Sequence, residues 1–323
     1  MAVRLGIIGY GIMGERLLRA ALNHDPAVLT VAGVWDPSEA AMQRLSSDLP
    51  QVTRLASAQA TIDACDCLYI ASPPASHLGY ARSAFAANKA VFCEKPLAVD
   101  VAEAEAFVAE AEKNNARAGV NFPFASSFAV DQLRAWMKES VTGTPERIEI
   151  EIGFANWPRP WQLDAVNWLD ARAQGGFARE VGSHFLFLAR RLFGPLQLKS
   201  HSVLYPEEGK SERMIGGALI AGSLPVTLDG VVGKTDKPDH NLFTIIGPKG
   251  RVRLRDWSIA EKLDTDGQWR EAADALPNEK MRPLVLKRQL DKVAAMTNGA
   301  EQDLARLREA VEVQRVVETI LKG

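Results

Sequence analysis

Through the first third of the chain, short apolar runs alternate with stretches in which apolar residues recur every three or four positions. The runs are Val3–Ile8, Leu29–Trp35, Cys67–Ala71, Ala90–Cys93 and Ala116–Asn121. Each has the length and bounding turn residues of a buried strand. Between them, Leu17, Leu18, Ala21 and Leu22 share one face, and Ser76–Ala87 and Val101–Asn114 carry the helical period. Strands alternating with helices predict a parallel, doubly wound sheet. From Glu146 the period becomes two, in RIEIEIGFA, LQLKSHSVLY, GGALIAG, PVTLDGVVG, NLFTIIG and RVRLRDW. That pattern predicts a mostly antiparallel sheet, with a hairpin turning at Gly247–Gly250. Two late helices are expected, over about Arg282–Thr297 and Gln302–Leu321. The expected fold class is α/β, with one doubly wound domain over residues 1–122 and a second α/β domain over 123–323.

The first strand runs into Gly9-Tyr10-Gly11-Ile12-Met13-Gly14 and then a helix. Strand, GxGxxG and helix together form the fingerprint of a Rossmann dinucleotide site. The first glycine allows the tight turn, the second lets the backbone approach a pyrophosphate, and the third lets helix and strand pack closely. The second strand ends in Asp36, where a carboxylate can accept hydrogen bonds from the ribose hydroxyls of NAD and repel the extra phosphate of NADP. The expected cofactor is therefore NAD, with NADP as the alternative. A second use for Asp36 is to cap the helix that starts in DPSEAAMQRL. The loops at Ser72–His77 and Glu94–Pro96 follow later strands, on the carboxyl edge where such sheets bind ligands.

Composition narrows the class. The chain has 323 residues, enough for two domains, and 38 basic against 40 acidic side chains. Interspersed charge of that balance gives no nucleic-acid or anionic-membrane surface. No apolar run is long enough to span a bilayer, and the glycine-punctuated N-terminus lacks the features of a signal peptide. The three cysteines, Cys65, Cys67 and Cys93, form no disulfide or zinc pattern. The expectation is a cytoplasmic protein without a metal.

Four motifs in order, GYGIMG, IASPPASH (Ile70–His77), FCEKPLA (Phe92–Ala98) and GGFAREVGSH (Gly175–His184), resemble the glucose–fructose oxidoreductase/inositol dehydrogenase family, written Gfo/Idh/MocA. The resemblance covers most of the chain. It implies an oxidoreductase acting on a hydroxyl or carbonyl carbon of a sugar, cyclitol or related small molecule, assembled as a homodimer or homotetramer through its second sheet. It assigns Gly9–Gly14, Asp36, Ser72, Pro73, His77, Glu94 and Lys95 to the cofactor. Lys95 would stand beside the nicotinamide and the reacting oxygen, with His184 and Glu180 completing the catalytic set.

The segment Gly176–Leu188, GFAREVGSHFLFL, holds three ionisable groups in an apolar setting. On one continuous helix over Gly176–Leu192, the residues Phe177, Val181, Phe185, Leu188 and Leu192 form an apolar stripe. Glu180 and His184, four apart, would project together from a neighbouring face. Hydride transfer from an alcohol carbon releases a proton that an imidazole can take while a carboxylate orients the ring. Three departures from the family pattern bear on the substrate. Glu180 stands where the family has Asp, Phe187 where many members carry an acid, and Asn121–Phe124 lacks an arginine common there. Asn121, Trp161 and Arg179 are candidate substrate contacts. Trp161 in the Trp-rich stretch Asn156–Trp168 serves equally well for packing, and Arg159 and Arg179 serve equally well as ion-pair partners.

Two other readings stand beside the leading one. A cyclic imine, dihydrodiol or opine-like substrate would suit the Phe and Trp side chains and Glu180. A non-catalytic dinucleotide sensor would use the same fold without Lys95 or His184.

Overall fold

The computed structural model describes residues 2–323, the side chains of 163–165 excepted. The chain divides into two compact units, Met1–Ser126 with Pro283–Val311, and Ser127–Arg282 with Glu312–Gly323. The first change of unit falls four residues after the expected boundary at 122/123. The expected second domain is not continuous, because residues 283–311 return to the first unit.

The first unit is built from β1 (Val3–Ile8), α1 (Ile12–Leu22), β2 (Leu29–Trp35), α2 (Glu39–Asp48), α3 (Ala58–Ala64), β3 (Cys67–Ile70), α4 (Pro74–Ala86), β4 (Ala90–Cys93), α5 (Val101–Lys113) and β5 (Ala118–Val120). Its sheet is parallel, in the order β2-β1-β3-β4-β5. Strands β3 and β4 are buried throughout, as their unbroken apolar runs require. α1 buries Leu17, Leu18 and Ala21 on the face its period marks. The strand order reverses at β1, between β2 on one side and β3 on the other. The carboxyl ends of β1 and β3 flank that switch point, where sheets of this kind hold their ligands.

The second unit contains α6 (Phe128–Lys138), β6 (Arg147–Phe154), α7 (Val166–Leu169), α8 (Ser183–Phe193) and β7 (Leu196–Leu204). β8 (Met214–Ala221), β9 (Leu224–Val232), β10 (His240–Gly247), β11 (Gly250–Arg255), β12 (Ile259–Leu263) and β13 (Trp269–Glu271) complete its sheet. The eight strands lie in the order β13-β12-β11-β10-β6-β9-β8-β7. Every pairing is antiparallel except β6 with β9. The β10–β11 hairpin closes at Gly247 opposite Gly250, as the sequence predicts. Ile148, Ile150, Ile152, Val226 and Leu228 fill one face of the sheet, and Glu149, Glu151, Thr227 and Asp229 alternate with them in more exposed positions.

The last two helices, α9 (Asn278–Thr297) and α10 (Leu307–Lys322), each contribute to both units. In α9, Leu286, Leu290, Val293 and Ala294 join the core beneath the parallel sheet. Burying an apolar side chain of that size stabilises by about 2 kcal/mol, which is the physical reason the segment belongs to the first unit. No helix among the described residues is long and apolar enough to cross a membrane.

Candidate functional site

The loop after β1 has the geometry its glycines predict. Gly9 has φ +103°, and a Cβ there would lie 2.6 Å from the Ala71 carbonyl carbon at the end of β3. A Cβ on Gly14 would press into the Gly9 carbonyl oxygen, far inside contact distance. A Cβ on Gly11 would meet nothing within 4 Å. Gly11 is also the N-cap of α1 and supplies no side-chain acceptor to its first turn. The loop therefore presents open space and uncapped backbone N–H groups at a helix N-terminus, which suits a pyrophosphate. Ile12 and Met13 begin that turn, and Tyr10 packs inward from the loop.

Asp36, at the end of β2, accepts the Tyr10 N–H at 2.7 Å and the Ser38 N–H at 2.8 Å. Ser38, not Asp36, caps α2, its Oγ accepting the Ala41 N–H at 3.3 Å. The carboxylate thus ties the glycine loop to the end of the second strand. Its remaining lone pairs suit ribose hydroxyls. Arg44 on α2 donates to the Tyr10 carbonyl and lies over the Tyr10 ring, 4.9 Å from its centroid. The sequence alone did not mark this cation beside the loop.

The loops after β3 and β4 are held by side chains. His77 is buried, with Nε2 2.7 Å from the Ser72 carbonyl oxygen and Nδ1 2.9 Å from that of Pro96. Burial pushes the imidazole pKa down. Ser72 Oγ bonds Ser76 Oγ at 2.7 Å, and Ser76 in turn donates to the Pro73 carbonyl. Glu94, at the end of β4, accepts hydrogen bonds from the Tyr69 hydroxyl and, at 2.5 Å, from Asn121 Nδ2. The Asn121 Oδ1 receives Gln289 Nε2 at 2.8 Å. Burial, together with the Glu94 charge, pushes the Tyr69 phenol well up, so the hydroxyl stays a donor. Asn121 is thus engaged in orienting Glu94. Lys95 follows Glu94 directly and is half-buried on the same edge of the sheet. Tyr69 and Asn121, the latter braced by Gln289 of α9, therefore hold the residue preceding Lys95. The three cysteines are buried and unpaired, and burial raises Cys65 to about 11 and Cys67 to about 12. Among the described residues no group of three or more His, Cys, Asp or Glu side chains could hold a metal ion.

In the second unit, the expected single helix over Gly176–Leu192 is replaced by a π-helical turn, Ala178–Gly182, running into α8. The cause is local. Gly176 has φ +102°, outside any right-handed helix, and the Ala178 N–H is taken by the carboxylate of Glu212 at 2.7 Å. The apolar stripe survives, with Phe177, Val181, Phe185 and Leu188 buried. Glu180 sits half-buried inside the wide turn. His184 is buried one residue into α8, its ring edge-on to Trp257 at 5.3 Å. Arg179 forms a bidentate pair with Glu318, at 2.6 and 2.8 Å, and donates to the Gly175 and Arg172 carbonyls. Those bonds give Arg179 the work of holding the segment together. Arg159 is buried against Asp239 at 2.7 Å and lies 4.7 Å from the Trp161 ring, which is exposed. Trp157, Phe154 and Phe177 pack in a mutual cluster.

Glu212, which sequence patterning did not single out, is 1% exposed. Burial raises its carboxyl pKa from 4.5 to about 7. An acid whose folded-state pKa is raised favours folding when protonated. Its contribution is complete below about pH 4.5 and is lost as pH rises through about 7, a change of roughly 3 kcal/mol. Urea unfolding between pH 5 and 8 should show this decline in the native protein. In Glu212→Gln that component of the decline should disappear.

Comparison with known proteins bears on the fold and the nucleotide-binding domain. Residues 3–122 match the model of an oxidoreductase family with an NAD-binding Rossmann fold, Gfo/Idh/MocA. The D-apiose dehydrogenase of Paraburkholderia graminis is 24% identical over 314 residues, 91% of this chain and 80% of that protein. The 2,7-anhydro-N-acetylneuraminate hydratase of Escherichia coli is 26% identical over 264 residues, 80% of this chain and 62% of its own length. In the solved structures, an Agrobacterium radiobacter oxidoreductase in complex with NAD+, L-tartaric acid and magnesium superposes with a TM-score of 0.82, at 17% identity, covering 100% of this chain and 96% of that one. With its glycine loop, its acid-ended second strand and its Glu94-Lys95-Pro96 turn, the segment 3–122 is the NAD-binding Rossmann domain of the Gfo/Idh/MocA oxidoreductase family.

Proposed function

We propose that this protein is an NAD-dependent dehydrogenase or reductase acting on a hydroxyl or carbonyl carbon of a sugar, cyclitol or related small polyol. The observation that carries the reading is the buried Tyr69–Glu94–Asn121–Gln289 network. It fixes the backbone immediately before Lys95 on the sheet edge that also bears the glycine loop. Preorganisation of that kind is what a group aimed at a developing charge requires. The sugar dehydrogenase among the relatives supports the substrate class.

Gly9–Gly14 would hold the pyrophosphate and Asp36 the adenosine ribose. The dinucleotide, when bound, supplies the hydride acceptor or donor. Lys95 hydrogen-bonds the substrate oxygen and favours its negative charge as a C–H bond breaks. His184 takes the hydroxyl proton, with Glu180 as its acidic neighbour in sequence. The partly exposed face of the eight-stranded sheet would pair with a second copy, giving a homodimer or homotetramer.

The test is the near-ultraviolet absorbance of reduced nicotinamide, followed with NAD and NADP separately across sugars, cyclitols, dihydrodiols and amines. Reduction of NAD by a polyol supports the reading. Reduction only by a dihydrodiol or amine moves the substrate class, and no change in either direction supports a dinucleotide sensor. The hydratase relative favours one further outcome, in which substrate is consumed without net nicotinamide change. Cofactor choice has its own check. Asp36→Asn keeps an acceptor for the Tyr10 N–H and removes the charge. Dinucleotide fluorescence titrations should then show the NADP-to-NAD affinity ratio rising by about tenfold.

A further inference from the structure

The Gly175-Gly176 turn is shaped around a carboxylate. Gly176 N donates to the Leu169 carbonyl at 2.8 Å, at the end of α7, and Gly175 N donates to that of Ala171 at 2.8 Å. A Cβ on Gly176 would lie 2.6 Å from Glu212 Oε1, so the carboxylate occupies the volume a side chain there would need. From that niche Glu212 receives the N–H of Ala178, the first residue of the π turn. The segment leading into β8 is itself anchored. Ser211 Oγ donates to Asp170 at 2.9 Å, and Arg213 donates to the same oxygen at 2.9 Å. The charged and titratable groups facing Glu212 are Arg179 from the turn, Arg213 beside it in sequence and Tyr205 after β7.

A π turn makes i→i+5 bonds and winds more slowly than an α-helix. Where it begins decides the direction in which Glu180 points relative to His184. A side chain that takes the first N–H of the turn fixes that beginning, because this N–H has no carbonyl partner within the turn and must be satisfied from outside it.

We propose that Glu212 is a positioning residue for the Glu180–His184 pair, its carboxyl in the Gly176 niche setting the start of the π turn that carries Glu180 into α8. The proposal rests on the assignment of Glu180 and His184 to proton handling. What is specific to it is the need for an acceptor at position 212, as distinct from mere volume.

Two substitutions separate acceptor from volume. Glu212→Gln keeps both, while Glu212→Met keeps the volume alone. The midpoint of His184 titration, followed by NMR of its ring protons without any substrate, should stay within about 0.3 pH units in Glu212→Gln and move by more than about 0.5 in Glu212→Met. Hydrogen exchange at the Ala178 amide should stay slow in the first and quicken at least about tenfold in the second. Should Glu212→Met not fold, Glu212→Ala carries the same comparison. Unchanged His184 titration and Ala178 exchange in Met or Ala would overturn the proposal, as would equal changes in Gln. The catalytic reading fails separately, if His184→Ala turns over substrate at the native rate.

Discussion

Lys95→Met should lower turnover by about a thousandfold, while dinucleotide affinity stays within about twofold. The amine is the one cationic group that the sequence places at the end of β4, directly after the residue held by Tyr69 and Asn121. Its proposed work is confined to the moment when negative charge develops on the substrate oxygen. Interactions of that kind are worth two to four powers of ten in rate, and a thousandfold corresponds to about 4 kcal/mol. Methionine preserves most of the length and apolar stem, and the Tyr69 and Asn121 hydrogen bonds to Glu94 do not involve the amine. Binding should persist because the proposed contacts of the glycine loop and Asp36 are with the other parts of the dinucleotide. Steady-state rates on the substrate found by the panel, with fluorescence titration of the dinucleotide, check both halves. Native turnover in Lys95→Met would remove this residue from the mechanism.

Gly14→Ala should destabilise the protein by about 3 kcal/mol and weaken dinucleotide binding by about a hundredfold. The added Cβ would run into the carbonyl oxygen of Gly9, a backbone atom that cannot rotate away. Relief requires α1 to withdraw from the loop, and the helix is locked by buried Leu17, Leu18 and Ala21. Gly11→Ala provides the contrast. Its Cβ meets nothing in the protein, so stability should change by under about 0.5 kcal/mol. Binding should still fall by about tenfold or more, because the methyl group would stand in the open space proposed for the pyrophosphate. Denaturant unfolding and dinucleotide titration on the two variants separate a glycine needed by the fold from one needed by the ligand. Equal effects of both on stability would contradict this division.

Much of the first unit was legible because its signals are local. The glycine spacing, the apolar runs and the helical period each report on backbone within a few residues. They placed β1, α1 and β2 correctly and gave Asp36 its position. Period-two alternation likewise exposed six strands of the second sheet. It missed β12 and β13, which are short and flanked by turns, and it could not show that β6 pairs with β9 in parallel. The single helix expected over Gly176–Leu192 failed at its start, where Gly176 has φ +102° and the chain enters α8 through a π-helical turn. Here the Ala178 N–H goes to Glu212, 34 residues later.

From its sequence alone this protein has a dinucleotide loop with an acid-ended second strand, a parallel sheet followed by a mostly antiparallel one, and Lys95 at the end of a buried strand. These follow from turn chemistry and periodicity, which act over a few residues. Only the tertiary structure decided that residues 283–311 return to the first unit, that Gln289 reaches Asn121 across 168 positions, that Arg179 is committed to Glu318, and that Glu212 fills the space left by Gly176. The physical reason is that a buried polar group must find a partner wherever the packed chain supplies one, and sequence separation does not limit that choice.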